Sequence, residues 1–158
     1  MVDARVLHRM LLLFILVGLA FSLYATFEVL DPSLQGTCSV NSFVSCSAVD
    51  QSGYTHLGPF PDWSVGVAGF VLLLALDIPL FLTFRPAWLY GVLGLSLVGV
   101  AVSAYLAYLE LGVIHALCPI CLGAYISNLL VLGTALWLRQ ARAGHGVPQA
   151  APAAGTDP

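Results

Sequence analysis

Two pairs of cysteines are the residues of this chain best equipped for chemistry. Cys118 and Cys121 sit in "LCPICLGAY" (117–125), and Cys38 and Cys46 bound "CSVNSFVSC" with seven residues between them. A Cys-x-x-Cys pair serves as metal clip, structural staple, haem anchor or redox couple, and the spacing alone does not choose. A haem anchor needs His directly after the second cysteine, where Leu122 stands. Structural zinc favours two close pairs, whereas Cys38 and Cys46 are far apart and no His adjoins either pair, so no metal is expected. A structural staple remains the plain alternative for an exterior loop. At Cys118–Cys121 it is weakened because closing so small a loop adds little stability, and strained, accessible disulfides are the labile ones.

The elements that must carry these thiols are written in the composition. Of 158 residues, 59% are hydrophobic and 8% charged, and mean hydropathy is +0.95. That balance belongs to a membrane protein. A bilayer span takes roughly 20 apolar residues, and four such stretches occur, at about 11–30, 64–84, 87–109 and 118–138. The expected fold is therefore all-α, a polytopic four-helix bundle with a cap loop over residues 31–62. The first stretch follows Arg5 and Arg9 but is longer than a signal-peptide core and has no clear small-residue cleavage site after it, so it reads as a span.

All five basic residues, Arg5, Arg9, Arg85, Arg139 and Arg142, fall on one side of this topology. By the positive-inside rule that side is cytoplasmic, with both termini, and residues 31–62 and 110–117 face out with Asp31, Asp50, Asp62 and Glu110. All four cysteines then lie on the exterior side of an inner (cytoplasmic) membrane, where dithiols and disulfides interconvert. A net charge of −3 argues against nucleic acid as a partner. The tail 140–158 is rich in Ala, Pro and Gly without periodicity and is expected to be a disordered cytoplasmic segment.

Cys118 opens the last span, Pro119 suits its first turn, and the unpaired amides of a helix start favour a thiolate. At about 1.5 Å per residue, Cys121 lies some 4.5 Å deeper than Cys118. A two-electron couple at that depth needs an acceptor, and a membrane quinone is the obvious one. Tyr125, one turn beyond Cys121, could donate a hydrogen bond to a quinone carbonyl or could be an interfacial-belt tyrosine, as Tyr105 and Tyr108 are expected to be. Asp77 and Pro79 read as a near-interface carboxylate and a kink, and His56 and His115 as solvated loop histidines.

The ordered combination of "CSVNSFVSC", Ser52-Gly53 and "CPICLGAY" on four spans resembles the vitamin K epoxide reductase homologues, over about residues 8–139. The DsbB family, also four-span thiol oxidases, carries its Cys-x-x-Cys in the first exterior loop, the reverse of the order here. The resemblance implies a four-helix bundle around a quinone, with Cys118 and Cys121 as the quinone-reducing pair and Cys38 and Cys46 as the relay. It implies Tyr125, Ser52 and, at the position of an asparagine in some relatives, Asp62 as quinone contacts. The implied activity is oxidation of a separate thioredoxin-like (DsbA-type) protein with menaquinone or ubiquinone as acceptor, which would drive disulfide formation outside the cytoplasm. Quinone epoxide reduction by the same residues, or a non-catalytic scaffold with structural disulfides, are the alternatives. The relay would require the cap loop to move, carrying Cys46 to Cys118.

Overall fold

The computed structural model describes residues 4–31, 33, 34, 37–54, 56, 57, 60–83 and 85–144. Within them run four long helices, α1 (Ala4–Leu30), α3 (Asp62–Thr83), α4 (Pro86–Leu109) and α5 (Pro119–Gly144). Between the first two lie a short helix, α2 (Cys46–Asp50), and a strand pair, β1 (His56–Leu57) and β2 (Phe60–Pro61), hydrogen-bonded antiparallel. Four segments are long and apolar enough to cross a bilayer: Arg5–Leu30, Asp62–Thr83, Pro86–Ile114 and Pro119–Ala143. Helices suit that role because lipid offers no partner for an unpaired amide. The expected bounds hold to within a turn, except that α1 begins seven residues before 11, at Ala4, and α5 runs on through residues 140–144. Phe84 and the rest of the tail, 145–158, lie outside the described residues.

The long helices form a closed ring in which α1 packs on α3 and α5, and α4 on the same two. Leu7, Leu11 and Ile15 follow one another at four-residue steps and make the α1 stripe of the core, against Phe70 and Leu73 of α3, Val92 of α4 and Val131 and Ala135 of α5. Outward faces are equally apolar, with Leu13, Leu72, Leu97 and Leu129 exposed for lipid to cover. Small residues let the helices approach where lipid gives no hydrophobic drive. A Cβ on Gly18 would overlap the Phe70 ring, and one on Gly123 would stand 2.8 Å from the Phe21 ring.

Asp77 is 1% exposed inside the ring, in the last two turns of α3. His8 Nε2 of α1 approaches its Oδ1 to 3.4 Å, and the His8 ring lies against Phe81 at 4.9 Å. A lone carboxylate among apolar helices is costly, and the imidazole offsets that cost while joining α1 to α3.

At the opposite end the cap is tied down by backbone. Val44 and Leu117 form a parallel bridge, in which Leu117 N–H donates to the Phe43 carbonyl at 2.7 Å and Ser45 N–H to the Leu117 carbonyl at 3.1 Å. Asn41 Oδ1 accepts from the amides of Phe43 and Val44 at 2.9 and 2.8 Å, which turns the chain into this bridge. Ser45 then caps α2, its Oγ accepting from Ala48 N–H at 3.2 Å. Gly53, at φ 73°, takes the left-handed turn after it.

Residues 110–117 do not form an open loop after α4. A π-helical turn (Glu110–Ile114) continues α4, and His115 ends it in the left-handed region at φ 58°. Leu111, Val113 and Ile114 extend the apolar run past the carboxylate, and the wider turn brings Glu110 to the inside, 4% exposed.

Candidate redox site

The bridge between Val44 and Leu117 places Cys46, two residues after one partner, beside Cys118, the residue after the other. Cys38 and Cys46 are joined in a disulfide, whereas Cys118 and Cys121 are free. Cys118 Sγ lies 3.3 Å from Cys46 Sγ, and both cysteines are 2% exposed. The cap motion expected for the relay is therefore unnecessary for this contact, because backbone pairing already holds the two sulfurs together. Three cysteine sulfurs, of Cys38, Cys46 and Cys118, cluster closely enough to suit a metal by distance alone. Two of them are committed to the disulfide, and a thiol beside a disulfide is the arrangement for exchange.

Cys118 is the residue before Pro119 and occupies the capping position of α5. Its sulfur accepts the Cys121 N–H at 3.2 Å, as a serine oxygen would at a helix start. A helix-terminal amide is thus directed at the Cys118 sulfur. Behind this pair stands Glu110, whose inward placement no local pattern in the sequence announces. Its Oε2 accepts the Cys118 backbone N–H at 3.0 Å, and its Oε1 accepts the Tyr125 hydroxyl at 2.7 Å. One carboxylate therefore positions both the capping cysteine and the tyrosine one turn below Cys121.

A cavity of about 180 Å³ opens beneath the sulfurs, and Cys46, Cys118, Cys121 and Tyr125 contribute to its wall. Elsewhere the wall is mostly apolar, with Phe21, Phe70 and Leu95 among its residues, and Asn128, Glu28, Asp50 and Asp62 bring polar atoms to it. An apolar slot with a few convergent polar groups fits a flat ring with carbonyl oxygens, as a quinone head has. Asp62 is at the wall, with Oδ1 accepting the Trp63 N–H at 2.7 Å. Ser52 is not among the wall residues; its hydroxyl donates to the Val49 carbonyl at 2.7 Å and accepts from Tyr54 N–H at 3.3 Å. Asn128, on the wall, donates to the Ser96 carbonyl at 3.3 Å, which fixes its amide between α4 and α5.

Asp50, at the end of α2, is half-buried, and burial pushes its carboxyl up to about 7, helped by the nearby carboxylates of Asp62, Glu28 and Glu110. The ordinary value is 3.8, so between pH 4 and 7 the folded chain holds a proton that the unfolded chain releases. Stability from this group is present below pH 4 and is lost as pH rises towards 7. Thermal unfolding in detergent should therefore show a fall in Tm across that window, and the fall should be smaller in Asp50→Asn.

A cap disulfide in sulfur contact with a free thiol at a helix start, over an apolar cavity inside four spans, is a redox-type site in a multi-pass membrane protein. The chain belongs to the vitamin K epoxide reductase family, whose sequence profile matches residues 9–136. No match to a curated protein was found.

Proposed function

We propose that this protein is a quinone-dependent thiol–disulfide oxidoreductase that oxidises a separate thioredoxin-like protein on the exterior side of the membrane. The 3.3 Å contact between Cys46 and Cys118 carries this reading, because it links the cap disulfide to the pair at the cavity. The five arginines argue for the orientation, with both termini in the cytoplasm.

Cys38 is half-buried while Cys46 is 2% exposed, so an incoming thiolate attacks Cys38. The Cys38–Cys46 bond breaks, and a Cys38–partner bond forms. The Cys46 thiolate attacks Cys118 of an oxidised Cys118–Cys121 pair and frees Cys121. The partner's second thiolate releases itself as a disulfide, and Cys38 reforms its bond with Cys46, leaving Cys118 and Cys121 as thiols. Bound in the cavity, a quinone supplies an acceptor for two electrons and two protons. Asn128 gives one amide hydrogen to the Ser96 carbonyl and has a second to offer its oxygens, while Tyr125 lines the same wall with its hydroxyl donated to Glu110, which also holds the Cys118 amide in place.

The test is quinone reduction by the purified protein with a reduced thioredoxin-like donor, followed by loss of quinone absorbance and by thiol titration of the donor. One donor disulfide should form per quinone consumed. Donor oxidation that does not track quinone consumption would refute the reading.

A further inference from the structure

Glu28 lies near the end of α1 and is 3% exposed. Its side chain is part of the cavity wall, yet among the described residues its Oε1 has no hydrogen-bond partner. A buried carboxyl oxygen left unpaired in an apolar slot is costly and calls for a partner that enters the slot. Tyr125, also on the wall, already donates its hydroxyl to Glu110. The carboxyls of Asp50 from α2, Asp62 from α3 and Glu110 from the π-helical turn are electrostatically coupled at this end of the bundle, and Glu28 is coupled to Asp50. Cys118, Cys121 and Tyr125 face the same cavity from α5.

We propose that Glu28 is the proton donor of this cavity, holding a proton at its carboxyl and passing it to a carbonyl oxygen of the bound quinone, with Asp50 as the recharging group towards the exterior. This rests on the quinone-linked reading above. The proton count closes. Formation of the Cys118–Cys121 disulfide releases two electrons and two protons, and the acceptor takes up two of each. One proton enters from Glu28, and Glu28 regains one from outside through half-buried Asp50. The two thiol protons leave, one to the acceptor near Tyr125 and one to the exterior, so nothing accumulates. A carboxyl that a neighbouring acid can recharge suits this task better than an amide or hydroxyl, which cannot give up a proton in the accessible range.

The experiment uses full-length protein with Cys118 and Cys121 reduced, in detergent, mixed with a short-chain naphthoquinone or a short-chain benzoquinone. Rates of disulfide formation across pH 5 to 9 and quinone affinity are both read. Affinity comes from quenching of Trp63, a cavity residue, in a background with Trp88 and Trp137 replaced by Phe. Glu28→Gln, which keeps hydrogen-bonding capacity without the proton, should slow single-turnover disulfide formation by about 10²-fold and flatten the pH profile. Its quinone affinity should change less than about threefold, and Glu28→Asp should restore the slope of the profile. An unchanged rate and profile in Glu28→Gln, or an equal loss of affinity and rate, would overturn the donor role. Wild-type protein that binds neither quinone would instead overturn the functional reading itself.

Discussion

Cys118→Ala and Cys121→Ala are each expected to abolish quinone reduction by the reduced partner, by at least about 10³-fold, because residues that act as one unit in covalent catalysis are lost together. The two variants should differ in what they leave behind. Cys118 is the sulfur in contact with Cys46, so Cys118→Ala breaks the relay. Electrons then stop at the cap pair, and the partner is oxidised by at most one equivalent. Cys121→Ala leaves the contact intact and removes the thiol with which Cys118 closes the quinone-reducing disulfide, so the Cys118 thiolate can only exchange with the cap disulfide at Cys46, freeing Cys38. A covalent Cys46–Cys118 species then becomes the resting form, which peptide mapping under non-reducing conditions would detect. A non-catalytic scaffold with structural disulfides would instead leave quinone-dependent thiol oxidation the same in Cys121→Ala as in wild type.

Glu110→Ala should produce the next largest loss, about 10²-fold in turnover. The carboxylate accepts the Cys118 amide at 3.0 Å and the Tyr125 hydroxyl at 2.7 Å, two charge-assisted bonds in a buried setting. Hydrogen bonds to charged groups contribute about 1.5–3 kcal/mol each, so losing the pair costs enough to misplace both groups. Glu110→Gln keeps an acceptor oxygen for one bond and should be milder, by about a factor of ten. Tyr125→Phe, measured alongside, separates the loss at the tyrosine from the loss at the Cys118 amide. Equal rates for wild type and Glu110→Ala would remove Glu110 from the site.

The parts legible in the sequence were those with a local signature. Four apolar runs specify spans because lipid demands self-satisfied backbone, and the cysteine motifs announce themselves by spacing. Tyr125 follows from a single turn of helix beyond Cys121. Glu110 was unreadable for a physical reason. A lone acid at the end of an apolar run looks like a loop charge, and only the π-helical turn with left-handed His115 turns it inward. The His8–Asp77 pair joins residues from two helices through no periodic signal. Glu28 and Asn128 look like ordinary polar interruptions of a span until the ring closes and the cavity appears between its helices. Ser52 stands two residues beyond cavity-lining Asp50, and the chain's return after α2 turns its hydroxyl back to the Val49 carbonyl. The immediate contact of Cys46 with Cys118 rests on the Val44–Leu117 bridge, a pairing between segments 73 residues apart in the chain.

The most direct measurement is disulfide trapping in the Cys38→Ser, Cys121→Ser double variant, which leaves Cys46 and Cys118 as the only thiols. On mild oxidation in membranes, these two should close into one intramolecular disulfide in high yield, seen as protection of both from alkylation and a mass lower by two hydrogens. If both thiols remain fully alkylatable after the same oxidation, Cys46 does not reach Cys118 and the relay between cap and cavity does not exist.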